Sequence, residues 1–350
     1  MRKKRALILL TALIATGVLA VAGCGGPSEA KNGKSSNPTL KVAYFQGALA
    51  GPDVVVAANP QLAGAVGAKI ELHPIDSGVA GISQLKAGAF PVISGVGNPP
   101  FVGAIANGID VTAVFVESLD QAGLVVSNKI KSNTDLVGKK VGVLVGSTLD
   151  FEFKGWLTSQ GLEGKVEAAS FASEAAEAAA WKAGKIDAVY ISQAFLQELK
   201  KHGGRVVVDA AEIAKLGYAA TNLLAISTPY IKQHPDLVQK LVCQISKAQE
   251  LVTGPDAAKY ITPAAKFLGV APADAIEGTK GYPYVAAADE AAWLKGSDGT
   301  STSGKLAQNF NLTGKFLVAQ GRAKTPPADD VIAAHIDPTF WDKAQAGGCA

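Results

Sequence analysis

Apolar and polar positions follow two rhythms along this chain, and their alternation sets the order of elements. Apolar runs of strand length occur at Leu40–Tyr44, Lys69–Leu72, Pro91–Ile93, Val111–Val116, Leu124–Val126, Lys140–Val145, Ile186–Ile191 and Leu223–Ile226. Between them lie helical stretches: Val79–Ala87 closed by Gly88, Pro100–Asn107 closed by Gly108, Thr148–Gln160, and the Ala/Glu-rich Ser173–Ala183 closed by Gly184. Strand and helix in regular alternation predict parallel βαβ units, and so an α/β fold with doubly wound sheets. Two such cycles with a late return strand predict two lobes joined by two crossing segments, a shape that closes by hinge motion. Lobe 1 is expected to take residues 39–122 and 222–345, and lobe 2 residues 123–221. From Pro229 onward the pattern is mainly helical, with a Gly/Ser/Thr break at 296–304, and no short internal repeat is present.

The first residues follow a different rule. Arg2, Lys3, Lys4 and Arg5 precede an apolar run from Ala6 to Val21 and then Val21-Ala22-Gly23-Cys24. A basic start, a short apolar segment and small residues before a cleavage point make residues 1–23 a signal peptide. The run is shorter than the ~20 apolar residues that span a bilayer. The Val-Ala-Gly-Cys tetrad resembles the lipobox of bacterial lipoproteins, which implies that Cys24 is diacylated and becomes the mature amino terminus. Acyl chains contribute ~0.8 kcal/mol per buried methylene, so such a protein sits on a membrane without crossing it. Residues 24–38, rich in Gly, Ser, Lys and Asn, read as a tether.

Removing the signal peptide changes the charge. Its four basic residues take the formal net charge from +3 to about −1, and no basic cluster remains to serve as a nucleic-acid footprint. Of the three cysteines, Cys24 is committed to lipid. Cys243 and Cys349 lie in an oxidising compartment, where they either form a disulfide that pins the carboxyl-terminal tail or remain a buried and a free thiol.

In doubly wound sheets ligands sit at the carboxyl ends of strands. The most informative such loop is Gly146-Ser147-Thr148, which follows the strand ending at Val145 and opens a helix. Backbone N–H groups, two hydroxyls and a helix dipole converge there and suit an anion without a charged side chain. Ser147 or Thr148 equally suits a plain helix cap. The loop lacks the lysine of a phosphate loop. Catalytic patterns are missing: the four histidines share no metal spacing, no His-Glu-x-x-His helix exists, and no Gly-x-Ser-x-Gly elbow is found. No metal or other cofactor is expected.

Several motifs together resemble the nitrate/sulfonate/taurine type of periplasmic substrate-binding proteins that serve ABC importers, and within it the taurine-binding branch. They are Asp76-Ser77-Gly78, Gly97-Asn98-Pro99-Pro100-Phe101, Asp135 to Val141 ahead of Gly146-Ser147-Thr148, Ala180 to Ala188, and His234 to Val238. The likeness spans about Lys41 to Trp341. It implies the type II periplasmic binding-protein fold and a monomeric, non-enzymatic lipoprotein on the outer face of the cell membrane. It also implies delivery of a small anion, such as taurine or another alkanesulfonate, to an ABC permease and its ATPase. Carried over by position, the cleft would be lined by Gln46, Ser77, Asn98, Pro99, Ser147, Thr148, Tyr190, Ser192 and Asn222. Tyr190 ends an apolar strand and suits the core as readily as the cleft wall. Three positions depart from the taurine pattern: Asn98-Pro99 replaces two small hydroxyl residues, Ser192 replaces tryptophan, and Asn222 replaces aspartate. Loss of that carboxylate favours an amine-free alkanesulfonate over taurine itself. The other classes are a lipoprotein that feeds a membrane sensor, and a secreted enzyme of the kind that shares this fold in pyrimidine biosynthesis.

Overall fold

The computed structural model describes residues 38–45, 51–171 and 173–349. The signal peptide, Cys24, most of the tether and Gln46 lie outside the described residues. No described helix is long and apolar enough to cross a membrane.

Ten described strands form two five-stranded sheets. They are β1 (Thr39–Phe45), β2 (Lys69–Ile75), β3 (Val92–Gly97), β4 (Val111–Leu119), β5 (Ala122–Val126), β6 (Lys140–Val143), β7 (Glu167–Ser170), β8 (Ala188–Ser192), β9 (Arg205–Asp209) and β10 (Thr221–Ser227). The spatial orders are β2-β1-β3-β10-β4 in lobe 1 and β7-β6-β8-β5-β9 in lobe 2. In lobe 1, β1 runs parallel to β2 and β3, while β10 is antiparallel to β3 and β4. Lobe 2 repeats the arrangement, with β6 parallel to β7 and β8, and β5 antiparallel to β8 and β9. The antiparallel member of each sheet is thus the strand that has just arrived from the other lobe.

Strands covered on both faces bury nearly every residue. Val111, Ala113, Val114, Phe115 and Val116 of β4 and Leu124, Val125 and Val126 of β5 are fully buried. Around the lobe 1 sheet, Phe101 stacks on Phe310 with ring centres 5.0 Å apart, and Phe115 meets Trp341 at 5.6 Å. Lobe 2 packs Phe153 between Trp156 and Tyr190 on one face of its sheet, and Trp181 with Leu199 on the other. The long helix Pro235–Thr253 carries Cys243, which is disulfide-bonded to Cys349 and ties the carboxyl-terminal turn to lobe 1.

The chain leaves lobe 1 at Asp120-Gln121 and returns through Ala219-Ala220. The two crossings are stitched together: the Asp120 N–H donates to the Ala220 carbonyl at 3.0 Å, and β4 pairs with β10 as far as Leu119 opposite Thr221. The helix Thr148–Ser159 of lobe 2 also packs against lobe 1. Its Phe151 lies between Tyr218 and Phe316, at 5.6 and 5.4 Å. Beside it, Arg322 of lobe 1 donates to the Gly146 carbonyl at 3.1 Å. Gly146 has φ +85°, a left-handed turn that favours glycine, and a Cβ there would fall 1.7 Å from the Arg322 guanidinium and force that side chain aside.

Candidate ligand-binding cleft

The carboxyl ends of the parallel strands in both lobes open toward the crossings, and the lobes meet there. A Cβ on Gly97, at the end of β3, would lie 2.5 Å from the Thr148 methyl of lobe 2. Thr148 begins its helix directly after Ser147, whose hydroxyl donates to the Leu144 carbonyl at 2.7 Å and accepts from the Asp150 N–H at 3.5 Å. Ser147 is therefore spent as a cap. Ser77 caps the helix Gly78–Lys86 by accepting from the Ala80 N–H and is exposed. Ser192 closes β8, and its N–H donates to Glu174 Oε2 at 2.8 Å.

Three residues assigned to the cleft by resemblance stand elsewhere. Asn98 is 0% exposed. Its amide donates to Asn309 Oδ1 and Thr313 Oγ1, both at 2.9 Å, and its Oδ1 accepts from the Thr221 N–H at 3.3 Å. That side chain is committed to holding the second crossing against the helix Lys305–Ala319. Pro99 is buried beside it. Tyr190 is in the lobe 2 core, where its hydroxyl donates to Glu152 Oε2 at 2.9 Å.

Thr148, Ser192 and Asn222 do converge, and they do so around acids that the sequence reading passes over. Asp120 is half-buried between the lobes. It accepts from the Asn222 amide at 2.8 Å and from the Thr148 hydroxyl. Burial raises its carboxyl, these hydrogen bonds oppose the rise, and the charge of Glu174 adds to it. The Asn222 amide also donates to Ser118 Oγ at 3.2 Å. Behind Asp120, Glu152 is buried, accepts from the Ala220 N–H, and is raised well above the carboxylate range by burial and then by Asp120. In lobe 1, Ser94 donates to Glu117 Oε1 at 2.7 Å and also hydrogen-bonds Asp53. Burial, followed by the charge of Asp53, pushes Glu117 up to about 8; burial pushes Asp53 up to about 6. Tyr282 and Tyr284, with ring centres 4.7 Å apart, run antiparallel beside the end of β4. Glu117 had a sequence signal, a charge directly after the apolar run from Val111 to Val116. Asp120 had none, because its partner Asn222 is 102 residues away.

The anion-suited loop is altered by an acid as well. The Gly146 N–H donates to Asp150 Oδ2 at 2.7 Å, and Asp150 is paired with Lys154 at 2.9 Å. The surface hollow bounded by Asp110, Thr228, Pro229 and Lys232 lies at the start of β4, the opposite end of the sheet from these groups.

Two mixed sheets of matching order, two crossings and a polar cluster between the lobes define a periplasmic binding protein of type II architecture. The chain belongs to the NMT1-like family, whose model matches residues 33–266. It is 26% identical over 297 residues to the taurine-binding periplasmic protein of Escherichia coli (strain K12), a match covering 83% of this chain and 89% of the relative. Among solved structures it is similar to the periplasmic aliphatic sulphonate binding protein SsuA from Escherichia coli, with a TM-score of 0.67, 20% identity, and 84% and 91% of the two chains covered. The desulfurization enzyme DSZB is also similar, with a TM-score of 0.58, 19% identity, and coverage of 89% and 99%. The fold therefore hosts catalysis as well as binding.

Proposed function

We propose that this protein is the extracytoplasmic solute-binding component of an ABC importer, holding a small sulfonate such as taurine or another alkanesulfonate between its lobes. It acts as a monomer, tethered to the membrane by lipid on Cys24, and delivers the solute to a permease and its ATPase. The observation that carries the reading is the match to a taurine-binding protein over nearly its whole length, joined to a polar cluster placed at the crossings. A binding role is favoured over the enzymatic one because the likeness to the taurine-binding protein is one of sequence, over 83% of this chain, whereas the likeness to the desulfurization enzyme, at 19% identity, is one of fold alone.

Thermal unfolding with a panel of sulfonates, nitrate and small carboxylates tests the ligand class. A ligand bound only by the folded state adds ~2.7 kcal/mol at a hundredfold excess over Kd, so one sulfonate should raise the melting temperature clearly. A shift with sugars alone would overturn the reading. Location is tested separately: Cys24→Ser should move the protein from the membrane fraction to the soluble one with affinity unchanged. Retention on the membrane would make the run Ala6–Val21 an anchor.

A further inference from the structure

Lobe 2 has its charges sorted along its strands. At the end of its sheet that faces away from the crossings, β6, β7, β8 and β9 start and β5 finishes, since Lys140 lies opposite Glu167 and Val126 lies opposite both Ala188 and Arg205. Lysines gather there. The Gly138 N–H donates to the Lys165 carbonyl at 2.8 Å and the Glu167 N–H to the Lys139 carbonyl at 3.0 Å, which sets Lys139 and Lys165 side by side. Arg205 donates to the Ile130 carbonyl at 3.1 Å, next to Lys131. Lys185 lies two residues before Asp187, whose carbonyl accepts from the Ser127 N–H at 2.8 Å. Lys200 and Lys201 close the helix Gln193–Lys201 just ahead of β9.

These six lysines are exposed, and among the described residues none of them has an ion-pair partner. The acids at this end are mostly taken, Asp187 by Lys129, Glu167 by Lys140 and Glu198 by Lys182. Asp135 and Glu163 are left against the six lysines and Arg205. A helix carboxyl terminus attracts Lys200 and Lys201; Lys131, Lys139, Lys165 and Lys185 stand in turns and loops, where no dipole calls for them. Val137 is 49% exposed and shares a turn with Lys139. An exposed apolar side chain beside lysines suits a headgroup layer, in which ammonium groups meet phosphates and the side chain enters the acyl boundary.

We propose that this far end of lobe 2 docks on anionic phospholipid headgroups, so that the tethered protein touches its membrane at two points. The proposal rests on the lipoprotein reading and goes beyond it. The Pro38 carbonyl accepts from the Lys69 N–H at 2.8 Å where β1 and β2 start, so the tether joins the far end of lobe 1. Residues 24–38 span at most about 50 Å when fully extended, which keeps the body close to the bilayer that holds Cys24. Delivery to a permease turns the cleft mouth to that bilayer, and the line between the far ends of the lobes then runs along it. Lipid holds one end, and the lysines of lobe 2 lie at the other.

Sedimentation of the full-length Cys24→Ser protein with lipid vesicles tests the surface without the acyl anchor. The protein should bind vesicles of mixed phosphatidylglycerol and phosphatidylcholine more tightly than phosphatidylcholine alone, and added salt should remove the difference by screening. Lys139→Gln, Lys185→Gln, Lys200→Gln and Lys201→Gln combined should weaken binding to mixed vesicles at least about tenfold, a lysine near an anionic surface being worth about a factor of five. Lys232→Gln with Lys240→Gln, exposed on lobe 1, should leave it unchanged. Equal binding to both vesicle types overturns the proposal, a comparison that needs no lysine variant. Equal loss from the two sets of substitutions, or none from the first, also overturns it. Retention on heparin without vesicle binding would assign the surface to an anionic polymer and overturn it too. Each of these failures leaves the solute and lipid-tether readings standing, since thermal shifts and cell fractionation read them separately.

Discussion

Replacing Asn98 with leucine will lower the melting temperature by several degrees and loosen the second crossing. The side chain is wholly buried, and its amide joins three elements: the start of the helix Asn98–Ala106, the helix Lys305–Ala319 through Asn309 and Thr313, and the crossing through Thr221. Leucine fills the volume and leaves several buried polar groups without partners, at about 1–3 kcal/mol each where no relaxation occurs. The Asn309 amide keeps its bond to the Ala219 carbonyl at 2.7 Å, and Thr313 keeps its bond to the Asn309 carbonyl, so the loss is partial. A net cost of about 3 kcal/mol is the expected scale. The outcome separates two roles for this residue. An unchanged melting temperature with lost solute affinity would place the amide in the cleft and remove it from the scaffold.

Stability will be greatest in mild acid and will fall as pH rises from about 5 to 9. Glu117 and Glu177 stand at about 8 against an ordinary 4.5, and Asp53 at about 6 against 3.8. Burial is the leading cause for all three, with Asp53 acting on Glu117 and Glu174 on Glu177. Neither Glu177 oxygen has a partner among the described residues. A raised carboxyl binds its proton more tightly in the folded chain than in the unfolded one. Its contribution is therefore complete below about 4.5 and is lost as pH rises through about 8. One pKa unit is worth ~1.4 kcal/mol, so the acids together amount to several kcal/mol across that window. Glu152 and Glu290, raised further by burial, act in the same direction. Melting curves at pH 5, 7 and 9 should show the decline, and Glu117→Gln should flatten it. A melting temperature that rises between pH 6 and 9 would contradict the assignment.

Much of the architecture was legible because strands buried on both faces leave continuous apolar runs. β4, β8 and β10 appear in the sequence within a few residues of their ends, and the return of β10 after lobe 2 gave away the paired crossings. β7 was invisible, since Glu167-Ala-Ala-Ser has no large apolar side chain. β9 is short, and its three valines are flanked by Arg205 and Asp209. The cleft was less legible than the fold. Ser147, Thr148, Ser192 and Asn222 were placed at strand ends by position, and position is what the pattern reports. What each side chain does there depends on partners far along the chain: Asn98 on Asn309, Tyr190 on Glu152, Asn222 on Asp120. No spacing rule links residues 98 and 309, so an amide that reads as a ligand donor is a scaffold bond. The acids at 53, 117 and 120 also carry no motif; their meaning comes from being brought together.

The stitched crossings bear on the order in which a solute is read. A rotation between lobes displaces each atom in proportion to its distance from the axis, and hinge motion of the kind this two-lobed shape allows would turn about the point where the two segments are bonded to each other, at Asp120 and Ala220. Asp120 and Asn222 would then sit on a short lever arm and move little. Thr148 and Glu174, on helices of lobe 2, would travel further. A molecule entering such a cleft would meet the slower groups first, and the moving lobe would inspect whatever part of it those groups leave uncovered.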